Sequence, residues 1–288
     1  MGPRSAKRKA QPTTVSRVRL SRLWPRAELR RRWVKLFRRA PGGAQAAICV
    51  VAVVAVWAVI NVIYQVARKP TELFFPVSGA LYKTPAETWR QYAPVFREHS
   101  TGVMTPELLA ALAQVEGSGN PVVRTYWRWS FRPEPFEIYR PASSAVGMYQ
   151  FTDGTFAEAR RYCIHDHVVA EQGPWNDFDS CWFNSLYLRV VPSHAVELTS
   201  AYLDRSIANA LTRHRVTKAT LRQKQNLAAV IHLCGAGAGD SYVRHGFRLS
   251  PGQRCGSHEA RFYVARVNTM KAVFARLAAE ESLAAPSV

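Results

Sequence analysis

The chain has 288 residues, 48% hydrophobic and 20% charged, which suits one globular domain with appendages. Its formal charge of +19 points first to nucleic acid, but residues 1–43 hold 14 Lys/Arg against one acid, Glu28, while the chain after residue 66 holds 25 against 19. The basicity belongs to a tail, and a body carrying only +6 excludes a basic nucleic-acid binder.

Taken in chain order, residues 1–43 form a basic tail. Residues 1–22 are rich in Lys, Arg, Pro, Ser and Thr and are expected to be disordered. From Leu23 to Arg39, Leu, Trp and Phe interleave with Arg. That stretch reads either as an amphipathic helix on the anionic lipids of the inner leaflet or as a plain topology signal.

A transmembrane helix is expected over 44–66. Its heart is "AAICVVAVVAVWAVINVIY", Ala46 to Tyr64, 19 residues without a charge. At about 1.5 Å per residue these extend about 28 Å, enough to cross the hydrocarbon layer. The positive flank precedes the span, so the expected topology is a single pass through the inner (cytoplasmic) membrane, N-terminus cytoplasmic and body periplasmic or extracytoplasmic. "QVARKP" is a poor cleavage site, which favours an uncleaved anchor.

Beyond the span a connector, 67–83, leads to a globular domain over 84–279, and 280–288 is expected to fray. "TPAETW" at Thr84 and "TPELLA" at Thr105 are helix starts, each with a Thr cap, Pro in the first turn and an acid behind it. The second of these helices ends at Gly117. Pro121 to Ile138 alternates β-branched and aromatic residues and predicts a hairpin. Further helices are expected near 154–163, 192–212, 219–234 and 258–279. The fold class is α+β, predominantly helical with a small β hairpin.

Of five cysteines, Cys49 lies in the span and four lie beyond it. An even number on the exported side predicts two disulfides, and of the three pairings the local one, Cys163–Cys181 with Cys234–Cys255, is expected. Zinc held by these cysteines with His165 and His167 lacks a CxxC pair, so neither metal nor cofactor is expected.

On the helix from Thr105, the side chains of Leu112, Glu116 and Val115 fall at about 40°, 80° and −20° from Leu108. Glu116 therefore shares an apolar stripe and sits in the last turn, where the helix dipole disfavours negative charge. Both influences favour the protonated carboxyl that a general acid requires. A solvated helix-end glutamate is the alternative. Downstream, "SSAVGMYQFTDGTF" offers Gly147 for close backbone approach, Met148 and Tyr149 as sugar-facing surface and Gln150 as an amide partner, or else a tight turn with a core Met.

"ALAQVEGSGNP" followed by "SSAVGMYQFTDGT" resembles the soluble lytic transglycosylase (SLT) domain of the lysozyme-like superfamily. That family carries E-S-x-x-N-P at a helix end and G-L-M-Q about thirty residues on. Here Glu116, Asn120 and Pro121 fill the first, and Gly147, Met148, Tyr149 and Gln150 the second, 31 residues after Glu116. "EARFYVARV" matches the family's E-T-x-x-Y-V-x-x-V through Glu259, Tyr263, Val264 and Val267, and "AAVIHLCGAGAG" stands where A-Y-N-A-G is sought.

The resemblance implies a lysozyme-like fold, Glu116 as the acid and base, Tyr263 orienting it, and cleavage of the β-1,4 bond between N-acetylmuramic acid (MurNAc) and N-acetylglucosamine (GlcNAc) in peptidoglycan with 1,6-anhydro ends. The sequence departs from the family at Gly117, where Ser118 is the substitute hydroxyl, and at the missing Asn, for which His232 is the candidate. A hydrolase would need a second carboxylate, and Glu134, Glu137 and Asp153 are available, although Glu134 and Glu137 also suit loop pairs with Arg132 and Arg140. The aromatic cluster Tyr126, Trp127, Trp129, Phe131 and Tyr139 suits either sugar stacking or core packing. A catalytically silent peptidoglycan-binding scaffold of an envelope complex is a further alternative.

Overall fold

The computed structural model describes residues 27–130, 134–177 and 179–284. The expected disordered stretch 1–22, the start of the 23–39 amphipathic segment, Phe131, Arg132 and the last residues of 280–288 lie outside the described residues. The chain divides into two units, 1–60 and 61–288.

In the first unit, helix α1 spans Ala27–Arg39, Pro41 interrupts it, and helix α2 begins at Gly42. Gln45 Nε2 donates to the carbonyls of Phe37 (3.0 Å) and Ala40 (3.1 Å), satisfying the end of α1. Helix α2 runs Gly42–Arg68, two residues longer at each end than the expected 44–66, because Gly, Gln and Arg at its ends are all compatible with a helix. It is long and apolar enough to cross a membrane, with a mean hydropathy of 2.8 over its most apolar window and only 6% of that window buried.

The second unit is mostly helical with three two-stranded antiparallel hairpins among the described residues. Residues 67–83, expected as a connector, carry regular structure of their own. They form a 3-10 turn at Pro70–Phe74, the four-residue helix α3 (Phe75–Ser78) and a second 3-10 turn at Gly79–Leu81. The physical reason is Glu72, whose buried carboxylate accepts from Trp127 Nε1 (2.8 Å) and Arg124 Nη1 (2.9 Å) and pairs with Lys69 Nζ (3.2 Å), which ties the segment to the domain.

Helix α4 (Pro85–Glu98) begins with a full capping box: Thr84 accepts from Glu87 N while Glu87 accepts from Thr84 N. Helix α5 is Pro106–Gly117. Strands β1 (Trp127–Trp129) and β2 (Tyr139–Pro141) form the hairpin expected after Pro121, paired Trp127 to Pro141 and Trp129 to Tyr139. Helix α6 (Asp153–Ala159) stops short of the expected residue 163, because Tyr162, Cys163 and Ile164 extend into strand β3 (Tyr162–His165), paired with β4 (Val168–Glu171).

Helices α7 (Pro192–Arg213) and α8 (Leu221–Cys234) follow, then a helix the sequence reading did not isolate, α9 (Ala236–Arg244). The short strands β5 (Arg254–Cys255) and β6 (His258–Glu259) lead into α10 (Ala260–Ala284). Residues 280–284 are helical rather than frayed, because Glu281 accepts from Trp89 Nε1 (2.9 Å) and pairs with Arg97.

One core runs through Phe96, Met104, Leu108, Leu109, Leu112, Leu198, Leu203, Leu227, Val267 and Phe274, all at 2% exposure or less. Cys163–Cys181 and Cys234–Cys255 are both formed, so these cysteines are not available as metal ligands.

Candidate active site

Helix α10 packs on both α5 and α8. Each of the three contributes one polar group to the site, on α5 and α10 from an otherwise apolar stripe. On α5 the stripe is Leu108, Leu112 and Glu116; on α10 it is Tyr263, Val267 and Phe274; on α8, His232 follows Gln225 and Ala228 along the face. Two polar cross-links hold α10 against α8: Asn268 Nδ2 donates to Asn226 Oδ1 (2.8 Å) and Lys271 Nζ to Gln225 Oε1 (2.6 Å).

The three groups converge. The Tyr263 hydroxyl donates to Glu116 Oε1, and His232 Nε2 stands 3.5 Å from the same oxygen. Glu116 Oε2 has no protein partner among the described residues, while the Glu116 side chain keeps 18% of its surface and His232 11%. One oxygen is thus anchored and the other is without a protein partner among the described residues.

Burial, together with the Glu116 charge and the hydrogen bond to it, holds the Tyr263 phenol well above its ordinary range, so it stays a donor. Burial pushes the His232 imidazole below its ordinary value, against the pull of Glu116. A neutral imidazole can donate to the carboxylate without fixing it as half of an ion pair.

Glu197, a fully committed carboxylate elsewhere in the domain, provides a contrast. Its Oε1 accepts from Ile164 N (3.0 Å) and its Oε2 from Tyr187 Oη (2.6 Å), and it is 5% exposed. With both oxygens committed, Glu197 fastens β3 to α7 and offers nothing to a substrate.

The turn at 146–150 closes over the end of α5. A Cβ on Gly117 would lie 2.9 Å from both Met148 Cα and Met148 O, so the serine of the family pattern has no room at this position. Gly147 has φ +81°, and a Cβ there would meet Arg189 O at 2.3 Å. Gly117 is what the close approach of the turn to the helix end requires, and Gly147 what the approach of the turn to Arg189 requires.

Two expectations for this turn are corrected. Met148 and Tyr149 are 0% and 1% exposed, and Tyr149 Oη donates to Leu109 O (3.1 Å), so they anchor the turn in the core and present no face to a sugar. Gln150 Nε2 donates to Gly147 O (2.9 Å) and Val123 O (3.2 Å), so its amide braces the turn. Ser118 closes α5 in the left-handed conformation, φ 48°, and its carbonyl accepts from Lys83 N (2.9 Å), a backbone role rather than a substitute hydroxyl on Glu116. Asn120, fully buried, donates to Ser78 O (2.7 Å) and accepts from Val122 N (2.9 Å), which pins the chain leaving the helix.

Of the glycines in "CGAGAG", Gly239 has a packing role, since a Cβ there would stand 2.4 Å from Ile231 Cγ1, whereas a Cβ on Gly235 or Gly237 would meet nothing within 4 Å. Of the alternative carboxylates, Glu137 is held by Arg68 (2.8 Å) and by Arg140 (2.7 Å), as the sequence suggested for Arg140. Asp153 pairs with Arg189 (2.8 Å). Glu134 lines a cavity of about 640 Å³ with Arg68, Arg140 and Arg189, whose lining does not include Glu116.

The site residues that sequence reasoning missed are Asn226 and Asn268. A polar pair at the interface of two otherwise apolar helix faces was their only signal. No protein-family model matches the chain, and a search of curated proteins returns no match.

Proposed function

We propose that this chain is a membrane-anchored lytic transglycosylase with a lysozyme-like domain. In this reading α2 crosses the cytoplasmic membrane, the N-terminus stays inside with its basic tail near anionic lipids, and the domain works outside on peptidoglycan strands. The observation that carries the proposal is the Glu116 carboxyl, anchored at Oε1 by Tyr263 beside His232 and without a partner at Oε2.

Glu116, protonated on Oε2, gives its proton to the glycosidic oxygen as the bond from MurNAc C1 to that oxygen breaks. The substrate's own acetamido group stabilises the positive charge at C1. Glu116, now a carboxylate steadied by the Tyr263 hydroxyl, takes the proton of the C6 hydroxyl, whose oxygen closes onto C1. The acid is regenerated, an anhydro end forms and no water is consumed. Hydrolysis through a second carboxylate has less support, because Glu137 and Asp153 are already committed to arginines and Glu134 lines a cavity that does not include Glu116.

The test is mass spectrometry of the muropeptides released from sacculi by the full chain and by Glu116→Gln. Products lighter by one water, lost in the variant with a rate drop of about 10²–10⁴, are expected. Hydrated reducing ends would replace this reading by a hydrolase. Absence of products with sacculus binding intact would replace it by a scaffold.

A further inference from the structure

The aromatic residues of the hairpin are not used by the site. Tyr126 is 74% and Trp129 65% exposed, and Arg128 between the tryptophans is also exposed. The Tyr139 ring lies 5.2 Å from that of Trp127 and 4.7 Å from that of Trp129, so these three rings form a preassembled group on one face of the hairpin, while Arg128 projects from the other face. An exposed group of this kind on a small sheet needs an explanation.

The last turns of α2 supply one. Asn61 Nδ2 donates to Tyr139 O (2.8 Å), and Gln65 Nε2 to Phe136 O (2.6 Å). The Tyr64 ring lies 5.1 Å from that of Phe136, and Arg68 pairs with Glu137. Asn61 and Gln65 are buried by these contacts, at 1% and 6% exposure.

Asn61 is nevertheless inside the uncharged run that ends at Tyr64. At about 28 Å that run only just matches about 30 Å of hydrocarbon, so its final turn falls at the outer boundary of the apolar layer. The strand hydrogen-bonded to Asn61 falls at the same depth.

We propose that Tyr126, Arg128 and Trp129 on the β1–β2 hairpin form a surface that docks into the headgroup zone of the bilayer. The chemistry fits this occupant. Indole and phenol rings with one apolar and one polar side concentrate at that depth, and an arginine on the other face of a hairpin lying at that level reaches the phosphates while its stem stays among the acyl chains. The inference rests on the reading that α2 crosses the bilayer. A glycan strand, which would also stack on exposed aromatics, is the competing occupant.

Full-length protein carrying Cys49→Ala is spin-labelled singly at Trp129→Cys, Tyr126→Cys, Val54→Cys or Leu186→Cys and reconstituted into phosphatidylethanolamine/phosphatidylglycerol vesicles. Collisions with oxygen and with a water-soluble nickel chelate are then measured. The labels at 129 and 126 are expected to lose nickel collisions several-fold and gain oxygen collisions, lying between the buried label at 54 and the wet label at 186. Labels at 129 and 126 as wet as that at 186, with 54 dry, would overturn the docking surface and leave the span standing. A wet label at 54 would remove the span and the inference together. Shielding of 129 and 126 only when peptidoglycan fragments are added would assign the surface to glycan instead.

Discussion

Replacing Gly117 by serine, the residue the resembling family carries there, is expected to destabilise this protein. The added Cβ would sit 2.9 Å from Met148 Cα and Met148 O and 3.0 Å from Val123 Cγ1. Two of those three atoms are backbone, and their segment cannot recede, since Tyr149 is hydrogen-bonded to Leu109 O on one side and Gly147 is pressed against Arg189 O on the other. Overpacking of this sort costs about 1–3 kcal/mol, and the better helix propensity of serine offsets at most about 0.5 kcal/mol of it. A net loss of about 1–2 kcal/mol lowers the melting temperature of a domain this size by about 2–8 °C. Thermal unfolding of the detergent-solubilised full chain by circular dichroism measures it. Gly154→Ala in α6, where a Cβ meets nothing within 4 Å, is the control and should raise the melting temperature. A Gly117→Ser protein that melts at or above the wild type would refute the claim that the 146–150 turn lies in direct contact with the helix end.

Tyr263→Phe removes the hydroxyl that anchors Glu116 Oε1; a hydrogen bond to a charged group is worth about 1.5–3 kcal/mol, so kcat should fall about 10- to 150-fold at nearly constant KM, and a change under about twofold would deny Tyr263 its positioning role. His232 has a folded value below its ordinary 6.5, so between the two values the unfolded chain binds more protons than the folded one and stability drops as pH falls through 6.5. The wild type should therefore lose more melting temperature between about pH 7 and pH 5 than His232→Asn, and parallel curves would refute the burial of a neutral imidazole there. Paired serine replacements at Cys234 and Cys255, separated by 21 residues, should cost about 3 kcal/mol. They should also reduce turnover more than the same change at Cys163 and Cys181, because Cys234 ends the helix that carries His232.

What could be read from the sequence was what local chemistry determines. The Thr84, Pro85 and Glu87 start is a three-residue device, legible anywhere it occurs. The stripe of Leu108, Leu112 and Glu116 follows from helical period alone, whereas the contact of Glu116 with Tyr263 joins residues 147 apart in the chain. Nearness in sequence also favoured the disulfide pairs found. Whether Met148 and Tyr149 look into a cleft or into the core depends on α5, a partner about 40 residues away, and no pattern within their own turn carries that information. The same holds for Glu72, an unremarked acid in a supposed linker, whose partners Arg124 and Trp127 come from a distant segment.

Asn61 and Gln65 have one more consequence. By the time the chain reaches Asn61 it already belongs to the fold, and no slack residues separate the last turn of the apolar helix from the hairpin it grips. In the proposed reading, a domain whose own residues begin within the apolar helix carries no spare chain at that end, and a glycan strand would have to come to Glu116 close to the membrane.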